Sequence, residues 1–311
     1  MKSIMYHYIT KYDKSMKYFS FLDVKNFIKQ INYFKNKYQF FDCRDLFQNN
    51  LEVRNRIFLT FDDGLSCHFK YVSKILKKEK INGIFYIPTY PIIKKKILNV
   101  HKIHLILGTI GPKKSFYTLL EILKKNQNQL NKNLIKKYRN KIYLESNYEK
   151  YSLSFKSYLN YFIKKDFREV ILKKIFNSIF GNNENKLANS FYLKENEIKN
   201  MTKDGMIIGS HSFSHKLFSE MSIKSAKSEI KKSFDFIDQF TPLRTFSYPY
   251  GGFHTFNRNT VKILKDNKVS FSMNVESKDI KKIDLKKYRQ SLPRYDCNEF
   301  IYGKIKKIKQ I

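Results

Sequence analysis

An α/β fold built on a parallel sheet or barrel is predicted by three observations. Short apolar runs alternate with helical patterns over most of the chain. Most of these runs are apolar at consecutive positions rather than at every second one, which suits strands covered on both faces. Several end directly at residues that carry chemistry or rigidity: Asp62, His211 and Pro249.

The strand signals, in order, are residues 3–9 (SIMYHYI), 56–61 (RIFLTF), 83–87 (GIFYI), 206–210 (MIIGS), 245–248 (TFSY) and 269–273 (VSFSM). Between them, Val24, Phe27, Ile28, Ile31 and Phe34 share one helical face, with Ser20 and Asp23 as a capping signal. Phe69, Val72, Ile75 and Leu76 form a second face, and Ile223, Ala226, Ile230, Phe234 and Ile237 a third. Val261, Ile263 and Leu264 mark a fourth. Strands alternating with helices give the fold class.

Residues 99–195 break the alternation with helical periodicity alone. Phe116, Leu119, Leu120 and Leu123 make one face there. Tyr158, Leu159, Phe162, Val170, Ile171, Ile175 and Ile179 make one or two more, before a break at Gly181-Asn182-Asn183. The expected organisation is a discontinuous α/β domain, 1–98 with 196–311, and a helical insertion, 99–195. The insertion is large enough to pack as a subdomain, serving as a lid or as a substrate or oligomer contact. His101 and His104 open it, at expected helix-surface positions. The oligomeric state is left open.

The chain of 311 residues carries 61 Lys and Arg against 27 Asp and Glu, a formal charge of +34. Lysines are scattered, tyrosine and phenylalanine abound and tryptophan is absent, the pattern of AT-rich coding. The field attracts anions all the same, and contact with an anionic membrane or a lipid-linked glycan is compatible with it. A nucleic-acid partner is not expected, because no binding motif or aromatic–basic platform is present. Cys43, Cys67 and Cys297 are far apart and lack CxxC spacing, so neither a disulfide framework nor a thiolate zinc site is implied. The opening MKSIMYHYIT has no apolar core of a signal peptide. No run approaches the ~20 apolar residues of a spanning helix. The expected location is cytoplasmic.

Three segments carry chemistry. In Leu59-Thr60-Phe61-Asp62-Asp63-Gly64, two carboxylates sit where a strand ends, so one can bind a cation while the other accepts a proton; a plain Asp-Gly turn would look the same. In His211-Ser212-Phe213-Ser214-His215, two histidines four apart would share one face of a helical turn and reach one metal; an incidental pair is the alternative. Ser247-Tyr248-Pro249-Tyr250-Gly251 is a stiff strand-end turn whose backbone N–H could face an oxyanion, or a simple loop. In α/β barrels the C-terminal strand ends are where catalytic groups gather.

Together, and in this order, the segments resemble the TFDDG, H-[ST]-x-x-H and R-x-P-Y-G-type motifs of the polysaccharide deacetylases of the NodB-homology family, carbohydrate esterase family 4. Ile4-Met5-Tyr6-His7 also resembles the first strand of several members. The resemblance implies a distorted (β/α) barrel of about seven strands and a metal-dependent hydrolase removing an N-acyl, typically acetyl, group from an amino sugar of a polysaccharide, surface glycan or precursor. It further implies that Asp62 is the base, that Asp63, His211 and His215 ligate the metal, and that the Tyr250 N–H stabilises the oxyanion. Two imidazoles and a carboxylate leave a position open for water, as catalytic zinc requires; cobalt, nickel or iron could also be held.

Two family features are missing. The Arg of the third motif is Ser247, and the late L-x-H histidine is replaced in Leu292-Pro293-Arg294. Arginine does not give up a proton near neutrality, so Arg294 is expected to brace Asp62 rather than act as an acid. His7 is the expected proton donor to the leaving amine, ahead of His254. The alternative is a catalytically impaired carbohydrate-binding homologue.

Overall fold

The computed structural model describes residues 1–48, 51–138 and 149–304. Two compact units emerge. Of the described residues, one contains 1–11, 21–96 and 186–304; the other contains 12–20 and 97–185. Residues 186–195, assigned to the insertion from sequence, thus belong with the sheet unit, and 12–20 belong with the helical one.

In chain order the strands are β1 (Lys2–Tyr6), β2 (Ile9–Thr10), β3 (Leu22–Asp23), β4 (Gln39–Phe40), β5 (Arg56–Phe61), β6 (Gly83–Ile87), β7 (Ile207–Ser210), β8 (Thr245–Ser247), β9 (Phe271–Met273) and β10 (Tyr295–Asp296). The main sheet runs β10-β1-β5-β6-β7-β8-β9, with β4 beside β5, and its pairings are parallel. It curls, so that the segment after β9 reaches both edges: Leu292 bridges Met273, and β10 pairs with β1. The expected first strand is split at His7 and Tyr8, with β2 pairing instead with β3 in a separate small sheet.

Two-sided burial explains the unbroken apolar runs. Along β5, Ile57, Leu59 and Phe61 join the core beneath the helices, where Phe61 stacks on Phe85 at 4.6 Å between centroids. Phe58 instead joins Ile84, Tyr86, Ile207, Phe271 and Met273 on the opposite face. The two-residue period of a strand puts Thr60 on that second face and aims Asp62 after it. Gly209 is required here, since a Cβ would lie 2.6 Å from the Tyr86 ring.

The sheet is flanked by α1 (Val24–Lys37), α2 (Lys74–Lys78) and α3 (Tyr90–Lys94). Asp23 accepts from the Lys25 N–H to cap α1, which buries Val24, Phe27, Ile31 and Phe34. Ile28, expected on that face, is 41% exposed. The helical unit comprises α4 (Asn99–Ile110), α5 (Pro112–Lys124), α6 (Lys132–Tyr138), α7 (Lys150–Ser157) and α8 (Lys165–Phe180). Its core takes Ile103, Leu119, Leu123, Phe155, Leu159 and Ile175. Val170, read as part of an apolar face, is exposed, and His101, read as a surface residue, is fully buried, with His104 half-buried. Lys102 and Glu184 pair at 2.9 Å, and Glu184 also accepts from the Ile97 N–H. Burial lowers the Lys156 pKa to about 8.

The chain then adds α9 (Glu184–Phe191), α10 (Glu195–Lys203), α11 (Ile223–Ile237), α12 (Arg258–Asp266) and α13 (Lys282–Lys287). Ala226, Ile230, Phe234 and Ile237 of α11 are buried, whereas Ile223 is exposed. Cys43, Cys67 and Cys297 are free thiols. Among the described residues no helix is long and apolar enough to cross a membrane.

Candidate active site

The Asp62-Asp63-Gly64 turn leaves the C-terminal end of β5, and the Asp62 N–H donates to the Tyr6 carbonyl at the end of β1. Asp63 has φ 79°, in the left-handed region that non-glycine residues avoid. That turn lets two neighbouring carboxylates face the same His211 ring instead of pointing to opposite sides of the sheet. Both are nearly inaccessible, at 2% and 4% exposure.

His211 directly follows β7, and its Nδ1 lies 2.8 Å from the Ser247 carbonyl. A carbonyl only accepts, so Nδ1 carries the proton and Nε2 presents its lone pair. Burial lowers the pKa of His211 despite the opposing pull of Asp62 and Asp63, so the ring is neutral. The helical turn expected for His211–His215 is not formed. Ser212 (φ 65°) and His215 (φ 53°) are both left-handed, in a tight non-helical turn. The Ser212 hydroxyl accepts from the His215 N–H at 3.0 Å. The spacing suggested a helix because four residues make about one turn, but the chain folds back more sharply and still brings the rings within 4.7 Å.

Asp63 Oδ1 lies 3.7 Å from His211 Nε2 and 3.6 Å from His215 Nε2. Asp63, His211 and His215 form a buried set that could hold a metal ion. Ligand bonds of about 2.0–2.1 Å in a tetrahedron separate donor atoms by roughly 3.3 Å, so the observed spacing suits one small cation. A neutral imidazole lone pair facing a carboxylate oxygen is repulsive without positive charge between them, and a divalent cation fits that need.

Asp62 stands apart from this set, its Oδ2 at 4.0 Å from His211 Nε2. It is gripped by Arg294, whose two terminal nitrogens donate to its two oxygens at 2.8 Å each. Arg294 also donates to the Thr60 hydroxyl at 3.1 Å, the Ser247 hydroxyl at 2.9 Å and the Asn274 carbonyl at 2.9 Å. Its planar fork matches the carboxylate. Burial alone would raise the Asp62 pKa. The Arg294 charge, then His211, outweighs that and holds it at about 2, so Asp62 is anionic at neutral pH. Ser247 is fully buried beside the guanidinium. A side chain as large as arginine at 247 would occupy the space that Arg294 fills.

His7, half-buried at the end of β1, is close enough to Asp62 to affect its charge. Its carbonyl is 2.8 Å from His68 Nε2. Burial lowers the His68 pKa to about 4. Tyr250 has φ 63°, and its ring lies 4.9 Å from that of His215. Gly251 follows at φ 66°, and a Cβ there would lie 2.3 Å from Val275. His254 is exposed. Thr60, Asn274 and His68 were not read from sequence. Thr60 lay within the Asp-Asp segment, but no local pattern marked the other two.

The family model described as polysaccharide deacetylase matches residues 110–272. The chain belongs to the polysaccharide deacetylase family. The matched stretch spans His211, His215 and Tyr250 and begins after the Asp62-Asp63 turn. Streptococcus pyogenes deacetylase PplD is similar in fold, with TM-score 0.57 and 15% identity over 95% of this chain and 91% of that one. IcaB from Ammonifex degensii gives TM-score 0.55 and 13% identity over 94% and 90%. A Bacillus cereus polysaccharide deacetylase gives 0.55 and 14% over 95% and 64%. No curated relative matches the chain. The curled parallel sheet is thus the deacetylase fold, and family membership supports deacetylase activity.

Proposed function

We propose that the protein hydrolyses the N-acyl group, acetyl above all, of an amino sugar in a polysaccharide, surface glycan or glycan precursor. A divalent metal, zinc foremost, would be held by Asp63, His211 and His215. The observation that carries this reading is the convergence of two imidazole Nε2 atoms on Asp63 at 3.6 and 3.7 Å, with Asp62 adjacent but engaged by Arg294. When bound, the metal supplies a Lewis acid and lowers the pKa of its water toward roughly 7.

The chain's own groups divide the remaining work. Asp62 accepts the proton of the attacking water. Arg294 and Ser247 use part of the lone-pair capacity of its oxygens, but a carboxylate offers about four acceptor sites, so it can still accept. Its depressed pKa keeps it ionised and makes it a modest base, with position the larger contribution. The Tyr250 N–H donates to the carbonyl oxygen as negative charge develops there. The C–N bond breaks, and His7 protonates the departing amine. Acid and free amino sugar result. The Streptococcus pyogenes relative is described in complex with acetate, the acid expected here.

A lipid-linked sugar at an anionic membrane face is the substrate class that agrees with the +34 charge. The test is metal content together with acetate release across N-acetylated sugars, nucleotide sugars and lipid-linked sugars. Stoichiometric metal and release that both disappear in Asp63→Ala are expected. Absence of metal from the wild-type protein sinks the reading. Metal with no release on any substrate favours the impaired carbohydrate-binding homologue, which the missing late histidine would explain.

A further inference from the structure

The turn that presents His211 and His215 contains two non-glycine residues with positive φ, Ser212 and His215. Such conformations persist only where their surroundings over-determine them. The supports here can be traced to one helix, α11. Ile230 in its third turn accepts through its carbonyl from the Ser233 hydroxyl at 2.8 Å. The Ser233 hydroxyl accepts from that of Ser210 at 2.8 Å, and the Ser210 hydroxyl accepts from the Ser212 N–H at 3.1 Å. All three serines are fully buried.

A second branch comes from Glu229, one residue before Ile230. Its Oε2 accepts from the Ser214 N–H at 2.8 Å, and its Oε1 from the Ser214 hydroxyl at 2.6 Å. In a chain so rich in lysine, this acid forms no ion pair among the described residues. Both its oxygens are spent on the residue immediately before His215. A carboxylate that bonds a peptide N–H and the hydroxyl of the same residue fixes that residue's backbone and side chain together. Ser214 has no other reason to be held: its side chain is not a ligand candidate, and Phe213 beside it is anchored separately by the Tyr90 N–H.

We propose that Glu229 is a positioning residue that acts through Ser214 to set His215 in its metal-binding orientation before the metal arrives. The inference rests on the reading of Asp63, His211 and His215 as metal ligands. Removing a partner that orients a ligand costs about 10–100-fold in metal affinity in comparable sites. In Glu229→Gln the amide oxygen can accept the Ser214 N–H while the amide nitrogen donates to its hydroxyl, so the brace survives.

The experiment measures the cobalt and zinc dissociation constants of the full chain by competition with a chromophoric chelator, for wild type, Glu229→Ala, Glu229→Gln and Ser214→Ala. Metal-free thermal unfolding and amide exchange at Ser214 and His215 are followed in the same samples. Expected are about 10–100-fold weaker binding in Glu229→Ala, binding near wild type in Glu229→Gln, an intermediate loss in Ser214→Ala, and faster exchange at both amides in metal-free Glu229→Ala. Wild-type affinity and unchanged exchange in Glu229→Ala overturn the positioning role while leaving the metal site standing. Failure of the wild type itself to bind metal overturns both. Should Glu229→Ala not fold, equal affinity in Ser214→Ala and wild type overturns the proposal, and a graded loss supports it.

Discussion

The sheet unit and the helical unit both bury charge, and they do so differently. In the sheet unit, Asp62, Asp63, His211, His215 and Arg294 come from distant points of the sequence and face one another. In the helical unit, Glu184 joins Lys102 and the Ile97 N–H, and Lys156 is buried elsewhere with its pKa lowered. Among the described residues of that unit, these charges do not converge with a cluster of possible metal ligands. Burial of charge alone therefore does not mark a site. Convergence of two imidazoles and a carboxylate on one point is what marks the candidate.

The sharpest way to break this contrast is at Asp62. Asp62→Asn keeps size and part of the hydrogen bonding but removes the proposed proton acceptor. Acetate release should fall by about 10²–10⁴ with metal content unchanged, and retained turnover would show the base lies elsewhere. Next comes Arg294→Met, which leaves a buried carboxylate without its partner. Stability should drop by about 3–5 kcal/mol, read by denaturant unfolding, and activity should fall with it. Arg294→Lys should recover only part of the loss, because a single ammonium cannot match both oxygens.

The smallest effect belongs to the helical unit. Because the folded pKa of Lys156 lies below its unfolded value, protonation favours the unfolded chain. Stability should therefore rise as pH increases from about 8 toward 10.5. The gain is on the order of 2–3 kcal/mol, and Lys156→Met should remove it. An unchanged pH dependence in that variant would show the ammonium to be solvated in solution.

Much of the candidate site was legible because strand ends leave a mark in sequence. The run 56–61 stops at Asp62-Asp63, and 206–210 stops at His211, so the parallel arrangement alone brings both to one end of the sheet. The local conformation was not legible. Ser212 and His215 take left-handed backbone without glycine to announce it, and the bonds that hold their turn come from Ser210, Ser233 and Glu229, the last two on α11. Apolar periodicity was a good guide to α1 and α11 but overshot at their edges, where Ile28 and Ile223 face solvent. It also gave no hint that His101 would be buried, since one histidine beside Ile103 and Leu105 reads equally well as interface or surface. The two-residue strands β4 and β10 carry too little pattern to be seen.

Arg294 lies in the seam between Leu292, which touches β9, and Tyr295, which joins β1. The counter-charge for Asp62 is thus delivered by a segment 232 residues further along the chain. Until that seam shuts, a nascent domain with its first strands assembled holds a desolvated carboxylate with no cation, and compaction there is opposed. Closure of that end of the sheet is therefore tied to synthesis of the 292–296 segment, and chains cut short before residue 294 should stay open there.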